Sequence, residues 1–254
     1  MDQSAAPPDG DALPENLLVG RNPIREAIKA GRGIEKLLVM RGDLSGSARE
    51  IIAKAREAGI VVQEVDRVRL DAIYRNHQGI MAFTSAARYA ELDDIFELAE
   101  QRGEQPFVVV LDGITDPHNL GAIVRSAECC GAHGVILPER RSAGLTPAAV
   151  KAAAGAEEYV KVVKVVNLTR TVEELKQRGL WIAAATPDGE DAFSADLTGP
   201  LALVIGSEGD GVSELVLKHC DRRLGLPMAG QIASLNASVA AGVLLYAAMR
   251  ARRG

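Results

Sequence analysis

Short apolar segments alternate with segments of helical spacing between residues 107 and 219 of this 254-residue chain. The apolar segments are continuous and rich in β-branched residues, which is typical of a parallel sheet that helices cover on both faces. We therefore expect an α/β fold built on a parallel sheet. The alternation predicts strands at 107–111, 135–137, 160–166, 181–186 and 201–205, and helices at 120–130, from 147 onward, at 168–178 and at 212–219.

The stretch Leu224–Arg250 closes this pattern with a turn and an apolar helix. Pro227 ends an apolar run because it has no N–H to donate to a sheet. Residues 237–249 are small and apolar on all sides, which predicts a buried helix. Ser234 and Asn236 precede this helix and are of the types that cap helix N-termini. The stretch is either a capped, buried helix or a loop whose exposed amides face a ligand beside the cap.

Composition limits the classes of protein to which this chain can belong. The chain is 47% apolar and 25% charged, as in soluble globular proteins. We expect no membrane span, because no uncharged apolar run reaches about 18 residues. Three cysteines without a C-x-x-C pair favour a reducing, cytoplasmic location. The first 15 residues are acidic and Pro-rich, which predicts a disordered tail without a targeting signal.

The sequence predicts two domains after that tail. Residues 16–88 form a compact α/β unit, 89–106 an acidic linker with an amphipathic helix, and 107–254 the second domain. In the first unit we expect strands at 17–20, 34–40, 60–65 and 80–85, and helices at 22–30, 48–58 and 68–75, the first with Asn22 as its N-cap.

The net charge of −5 argues against a nucleic-acid partner, but the charge is unevenly distributed. Residues 16–88 contain 13 Lys and Arg against 8 Asp and Glu. This excess fits a surface that contacts phosphates. Solvated helix faces would give the same count, so both interpretations stay open.

The segment 111–128, LDGITDPHNLGAIVRSAE, follows the first strand of the second domain. In doubly wound sheets, ligands bind outside the carboxyl ends of strands. Asn119 and Gly121 lie at the start of the next helix, and Arg125 follows six residues after Asn119. Gly allows a close approach of a ligand, and Arg offers a fork that matches phosphate. A capped helix with one surface Arg is the alternative.

The segment 203–211, LVIGSEGDG, joins a buried strand to three glycines. The spacing G-x-x-G-x-G differs from the dinucleotide fingerprint G-x-G-x-x-G, and Glu208 places a negative charge where a pyrophosphate would bind. Both features disfavour an NAD-dependent enzyme. The four histidines show no metal-ligand spacing, so we expect no metal site.

Three segments, taken in order, resemble the sequence motifs of a known enzyme family. NLGAIVRSAE, IGSEGDGVSE and LPMAGQIASLNASVAAG are similar to the three motifs of the SpoU/TrmH-type RNA 2′-O-methyltransferases. The segments VGRNPIREAIKAG and NHQGIMA resemble the auxiliary RNA-binding domain of the branch that methylates a guanosine of 23S rRNA (RlmB-like). The resemblance covers nearly all of the chain after the tail.

The resemblance implies a SPOUT-like C-terminal trefoil knot that holds S-adenosylmethionine, a homodimer formed through the knot domain, and an RNA-binding N-terminal domain. It also implies roles for single residues. The implied catalytic residues are Arg125, Asn119, Glu208, Ser234 and Asn236. The implied cofactor-binding residues are Thr186, Gly206, Leu226, Met228 and Leu235. The implied RNA-binding residues are Arg21, His77 and Gln78. Ala237 departs from the branch, which usually has Val there.

The chemistry of a ribose 2′-OH fits these residue types. The hydroxyl is a poor nucleophile at neutral pH, so a neighbouring group must accept its proton or stabilise the alkoxide. Arg125 fits the second role rather than the first, because a guanidinium keeps its protons in proteins and so cannot accept another. Glu208 or a phosphate oxygen fits the first. We therefore predict methyl transfer to the 2′-OH of a nucleotide, a guanosine, in rRNA; the alternatives are a non-catalytic RNA-binding or ribosome-assembly protein and a tRNA 2′-O-methyltransferase.

Overall fold

A computed structural model describes residues 16–29, 33–42, 46–85, 87–231 and 234–253 of the chain. The predicted tail at 1–15 lies outside the described residues. Two compact units meet at the Thr84–Ser85 bond. Each unit has its own sheet and its own hydrophobic core.

The first unit is a four-stranded mixed sheet with helices. Its strands stand in the order β1-β4-β2-β3, and β4 runs antiparallel to both of its neighbours while β2 and β3 are parallel. The elements are β1 (Leu17–Val19), α1 (Arg21–Lys29), β2 (Ile34–Met40), α2 (Gly46–Glu57), β3 (Val61–Val65), α3 (Arg67–Asp71) and β4 (Ile80–Thr84).

The second unit is built on six parallel strands in the order β10-β8-β9-β5-β6-β7. The predicted α/β fold with a parallel sheet is confirmed. The elements are α4 (Leu92–Arg102), β5 (Phe107–Asp112), α5 (Pro117–Cys129), β6 (Gly134–Pro138), α6 (Pro147–Ala153), β7 (Lys161–Val165), α7 (Leu168–Gln177), β8 (Trp181–Asp191), β9 (Leu201–Gly206), α8 (Glu214–Leu217), β10 (Arg222–Gly225) and α9 (Ala237–Arg253).

Both faces of this sheet are covered, as its continuous apolar strands predict. On β5, Val109 and Leu111 join a core that includes residues of α5, α6 and α9. Val108 and Val110 join a second core on the opposite face, which includes residues of α4, α7 and α8. The alternation of strand side chains between two cores explains why no polar side chain interrupts β6, β9 or the part of β5 before Asp112.

Several boundaries differ from the sequence predictions for identifiable reasons. Helix α5 begins at Pro117 because the Asp116 side chain caps it, accepting a hydrogen bond from His118 N at 2.9 Å. Strand β8 continues to Asp191 because β10 pairs with it on both sides of an irregularity after Arg223. Helix α8 is shorter than predicted, and α1 already includes Asn22, which therefore is not its N-cap.

Helix α9, which is predicted to be buried, is covered only in part by this chain. One face, which includes Ala241, Leu244 and Leu245, is buried, and α9 contacts α5. Val239 and Tyr246 remain 51% and 53% exposed. The helix therefore has an apolar face that this chain does not cover.

A buried histidine, His133, lies just before β6 in the second unit. His133 is 0% exposed; its Nδ1 accepts a hydrogen bond from Phe107 N at 3.0 Å, and its Nε2 lies 3.0 Å from Glu104 Oε2. Burial lowers the pKa of His133, although the hydrogen bond with Glu104 opposes this shift. A proton on Nδ1 would also remove the acceptor that Phe107 N uses.

We expect the free energy of unfolding to fall as pH drops below about 6.5, the ordinary His pKa, because the unfolded chain then binds more protons than the folded one. The slope attributable to this residue cannot exceed about 1.4 kcal/mol per pH unit. Urea denaturation between pH 5 and 8 measures it, with His133→Asn as the non-titrating comparison. Equal pH slopes for the wild type and the variant would contradict this assignment.

Candidate active site

A cleft of about 370 Å³ opens at the carboxyl ends of β8, β9 and β10. Three segments form its walls: Ala185–Pro187 within β8, Gly206–Gly211 after β9, and residues after β10 that continue to the start of α9. In parallel α/β sheets this edge is where ligands bind. The described lining residues include all five that the resemblance implies for the cofactor: Thr186, Gly206, Leu226, Met228 and Leu235.

The loop after β9 is a tight turn, and this accounts for its glycines. Ser207 and Gly211 exchange two backbone hydrogen bonds of 3.1 and 3.0 Å, which bring the two ends of the loop together. A Cβ on Gly206 would lie 2.0 Å from the Gly211 carbonyl carbon, and Gly211 itself has φ +68°. The two glycines are therefore required by the backbone of the turn.

Three polar residues from distant parts of the chain meet beside this loop. The Nδ2 atoms of Asn119 and Asn236 both donate to Glu208 Oε1, at 2.9 and 2.5 Å. Asn236 Nδ2 also lies 3.1 Å from Asn119 Oδ1. The hydrogen bonds join the start of α5, the loop after β9 and the segment before α9, so one carboxylate fixes three segments around the cleft mouth.

Asn236 also caps helix α9. Its Oδ1 accepts hydrogen bonds from Ser238 N at 2.9 Å and from Ser238 Oγ at 2.6 Å. The Ala237 N–H points to Glu208 Oε1 at 3.4 Å, so a negative charge lies at the positive end of the helix dipole. The capping function predicted from the sequence and the contact with Glu208 therefore belong to the same side chain.

Asp112, which was not predicted from the sequence as a candidate, joins two segments next to the cleft. It is the last residue of β5, and its Oδ2 accepts a hydrogen bond from Ser213 N at 2.8 Å, just after the Glu208 loop. The bond links positions 101 residues apart. A carboxylate at the carboxyl end of a buried strand was the available signal.

Arg125 lies on α5 outside the lining of the cleft, and its side chain is exposed. Among the described residues, no hydrogen bond or ion pair holds its guanidinium. An unpaired arginine on the helix that carries Asn119 is available to an incoming anion, since its planar fork matches phosphate.

The sequence suggested that Gly121 lets a ligand approach closely, but in the structure Gly121 lies against helix α6. A Cβ there would lie 2.3 Å from Ala149 O and 2.6 Å from Ala152 Cβ on α6. The missing side chain lets α5 and α6 pack closely.

The implied RNA-binding residues lie in the first unit. The Arg21 Nη1 donates to Ser47 Oγ at 3.1 Å, and Gln78 is exposed with φ +52°. His77 departs from the expectation. It is 4% exposed, its Nδ1 accepts from Gly79 N at 2.8 Å, and its Nε2 lies 3.0 Å from Asp71 Oδ1. With both ring nitrogens engaged, His77 holds the turn before β4.

Adding a side chain at Gly206 tests directly whether the cleft binds the cofactor. We expect Gly206→Ala to weaken cofactor binding at least about 10-fold, because the new Cβ meets backbone atoms that cannot rotate away. Gly209→Ala is the matched control, since a Cβ there meets nothing within 4 Å. Calorimetric titration with S-adenosylmethionine measures the difference, and equal affinities for the two variants would refute this role of Gly206.

Within the described ranges, no group of three or more His, Cys, Asp or Glu side chains is arranged to hold a metal ion. No helix in that part of the chain is long and apolar enough to cross a membrane.

Two family models match the two units. Residues 106–246 match the SpoU rRNA methylase family, and residues 17–90 match the RNA 2′-O ribose methyltransferase substrate-binding domain. The Bacillus subtilis protein YacO, which is named for the TrmH family of tRNA/rRNA methyltransferases, is 46% identical over 239 residues. That alignment covers 93% of this chain and 96% of YacO.

Solved structures agree with these matches. The SpoU methyltransferase AviRb of Streptomyces viridochromogenes, in complex with the cofactor AdoMet, is 30% identical with a TM-score of 0.57, over 92% of this chain and 89% of AviRb. A structure described as an RNA 2′-O ribose methyltransferase is 27% identical with a TM-score of 0.53, over 94% and 89% of the two chains. The predicted enzyme class is confirmed: the chain belongs to the SpoU rRNA methylase family, and it is an RNA methyltransferase of that family.

Proposed function

We propose that this enzyme transfers a methyl group from S-adenosylmethionine to the ribose 2′-OH of a guanosine in rRNA. The observation that carries the proposal is the junction of Asn119, Glu208 and Asn236 at the mouth of a cleft with mostly apolar and backbone walls. This arrangement holds a ligand in place and presents one end of it to a second substrate.

The cleft residues fit S-adenosylmethionine. Apolar side chains such as Ile205, Leu226 and Leu244 suit the adenine ring, and the polar groups of Thr186 and of the Gly206–Gly211 backbone suit the ribose and amino-acid parts. Glu208 and Asp210 bring negative charge towards a cationic sulfonium. When bound, the cofactor supplies an electrophilic methyl group, so the reaction needs no metal for activation.

The residues of the chain then have separate roles in the reaction. Glu208 and Asn236 fix the loops around the cleft, and Ser234, which is exposed in its wall, orients the cofactor. Arg125 binds the phosphate of the target nucleotide and stabilises the developing alkoxide. The proton leaves to an acceptor beside the 2′-OH, either a phosphate oxygen or the Glu208 carboxylate.

A comparison of RNA from two strains tests the substrate. Ribose methylation is mapped in the rRNA and tRNA of a strain with the gene and a strain without it. We expect one guanosine of large-subunit rRNA to lose its 2′-O-methyl group in the deletion strain. Loss at a tRNA position instead would favour the tRNA enzyme, which is the second candidate because YacO carries both tRNA and rRNA in its name.

The trefoil knot and the homodimer belong to the same proposal. The exposed Val239 and Tyr246 on α9 give an apolar face that a second copy of the helix would cover, which suits a two-fold interface. The proposed cytoplasmic location rests on the cysteine usage alone.

Removing the first unit tests RNA binding separately from dimerisation and cofactor binding. We expect a chain that begins at Ser85 to dimerise and to bind S-adenosylmethionine, because the second unit has its own cores and α9 remains. It should lose RNA affinity, and the loss should be smaller at low salt. Light scattering and RNA-binding titrations check these outcomes. A monomeric mass would contradict the dimer through α9, and undiminished RNA binding would contradict the role of the first unit.

A further inference from the structure

The carboxyl edge of the six-stranded sheet has two halves, and only one of them forms the cleft. Strands β8, β9 and β10 lead into the cleft, and β5 leads to Asp112 and Asn119 in the centre. Strands β6 and β7 end on the other side of β5. Adjacent strands lie about 4.8 Å apart, so the end of β6 lies about 10 Å from that of β9. A polymer whose ribose lies at the cleft mouth reaches this half with its neighbouring nucleotides.

The loop between β6 and α6 is held in one conformation by three hydrogen bonds. Glu139 N donates to Val165 O at 2.9 Å, Ala143 N to Ile114 O at 2.7 Å, and Leu145 N to the Tyr89 hydroxyl at 2.8 Å. The second bond fixes the loop to the segment that leads into α5. The loop is therefore anchored at both ends and in its middle, next to the segment between β5 and α5.

Arg140 and Arg141 form the tip of this loop, and both side chains are exposed. Arg141 has φ +58°, a conformation that non-glycine residues rarely adopt. Among the described residues, neither guanidinium makes a hydrogen bond or an ion pair. Other arginines of the same unit do: Arg178, Arg222 and Arg223 each pair with a carboxylate. The only acid in the loop is Glu139, which is half-buried.

A third arginine lies at the end of the neighbouring strand. Arg170 is in the first turn of α7, which follows β7, and its exposed side chain has no partner among the described residues. A cation in the first turn opposes the helix dipole, and this placement becomes favourable when an anion binds there.

We infer that Arg140, Arg141 and Arg170 bind phosphates of the RNA chain next to the target nucleotide. The inference rests on the proposed function and deepens it, because it gives the methyltransferase unit an RNA surface of its own beside the first unit. Guanidinium groups form bidentate contacts with phosphate, and three of them along one edge suit successive phosphates of one strand. The cofactor then occupies one half of the edge and the RNA backbone the other.

The test compares Arg140→Gln/Arg141→Gln with the control Lys161→Gln/Lys218→Gln, which removes the same charge elsewhere. Lys161 begins β7 and Lys218 lies before β10, so both are at the amino ends of strands, on the opposite edge of the sheet. Binding of transcribed, unmodified large-subunit rRNA to the full chain is measured over a range of salt concentrations. Melting temperature and S-adenosylmethionine affinity confirm that each variant is folded.

We expect the loop variant to bind RNA more weakly, with a salt slope reduced by roughly 1.4 if two phosphate contacts are lost. Its S-adenosylmethionine affinity should match the wild type, and the control should bind RNA as the wild type does. Equal RNA binding by loop variant and wild type would overturn the inference, as would an equal loss in loop variant and control. Loss of inorganic-phosphate binding in the loop variant without any loss of RNA binding would also overturn it, since the site would then serve free phosphate. A wild type that binds rRNA but transfers no methyl group would contradict the proposed function alone.

Discussion

Arg125→Ala should lower methyl transfer to RNA at least about 100-fold while leaving S-adenosylmethionine affinity within a few-fold. The side chain is exposed on α5, outside the lining of the cleft, and has no partner among the described residues. Its removal therefore disturbs neither the fold nor the cofactor site. What is lost is the charge that stabilises the alkoxide as the proton leaves.

Two further variants sharpen this test. Arg125→Lys keeps the charge without the planar fork, so it should recover only part of the activity. Cys129→Ala changes another exposed residue of α5, one turn further on, and should retain wild-type activity. Single-turnover kinetics with saturating cofactor measures the transfer step. Activity of the Ala variant close to that of the wild type would reject the role assigned to Arg125.

Glu208→Ala should reduce kcat/KM for S-adenosylmethionine about 100-fold, because small displacements of the segments around a site have effects of that size. Its Oε1 accepts from Asn119, Asn236 and Ala237, so the Ala variant leaves three donors of two segments without their common acceptor. Glu208→Gln keeps an acceptor oxygen and should lose about 10-fold or less.

The pair of variants separates two roles of Glu208. If the carboxylate mainly positions the loops, as its contacts indicate, the Gln variant stays much more active than the Ala variant. Equally low activity of both, with unchanged cofactor affinity, would assign the proton to Glu208 and contradict the positioning role. Glu214→Gln removes the same charge at the start of α8 and should behave as the wild type.

The sequence predicted the elements of the second unit well because their signals are local. Continuous apolar strands and the Thr146-Pro147 start of α6 depend on neighbouring residues alone. The extension of β8 to Asp191 was not predictable in this way, because it depends on pairing with β10 more than 30 residues later.

The candidate site likewise has some features that could be predicted from local sequence and others that could not. The edge of the sheet on which the loops lie follows from the parallel topology, and the cap at Asn236 follows from its residue type. The hydrogen bonds that join Asn119, Glu208 and Asn236 span 89, 28 and 117 positions, and no local pattern encodes them. The packing role of Gly121 could not be predicted for the same reason, since it depends on Ala149 and Ala152 of α6.

The most direct measurement of the central claim is methyl transfer in vitro from S-adenosylmethionine carrying a labelled methyl group. The full chain is incubated with transcribed large-subunit rRNA and, separately, with transcribed tRNA, and the product is digested with alkali. A 2′-O-methyl group blocks cleavage of the adjacent linkage, so its position is identified as a resistant dinucleotide. We predict one resistant dinucleotide that begins with a modified guanosine, from rRNA only. Label on a base, label in tRNA alone, or no transfer to either RNA would contradict the proposed reaction.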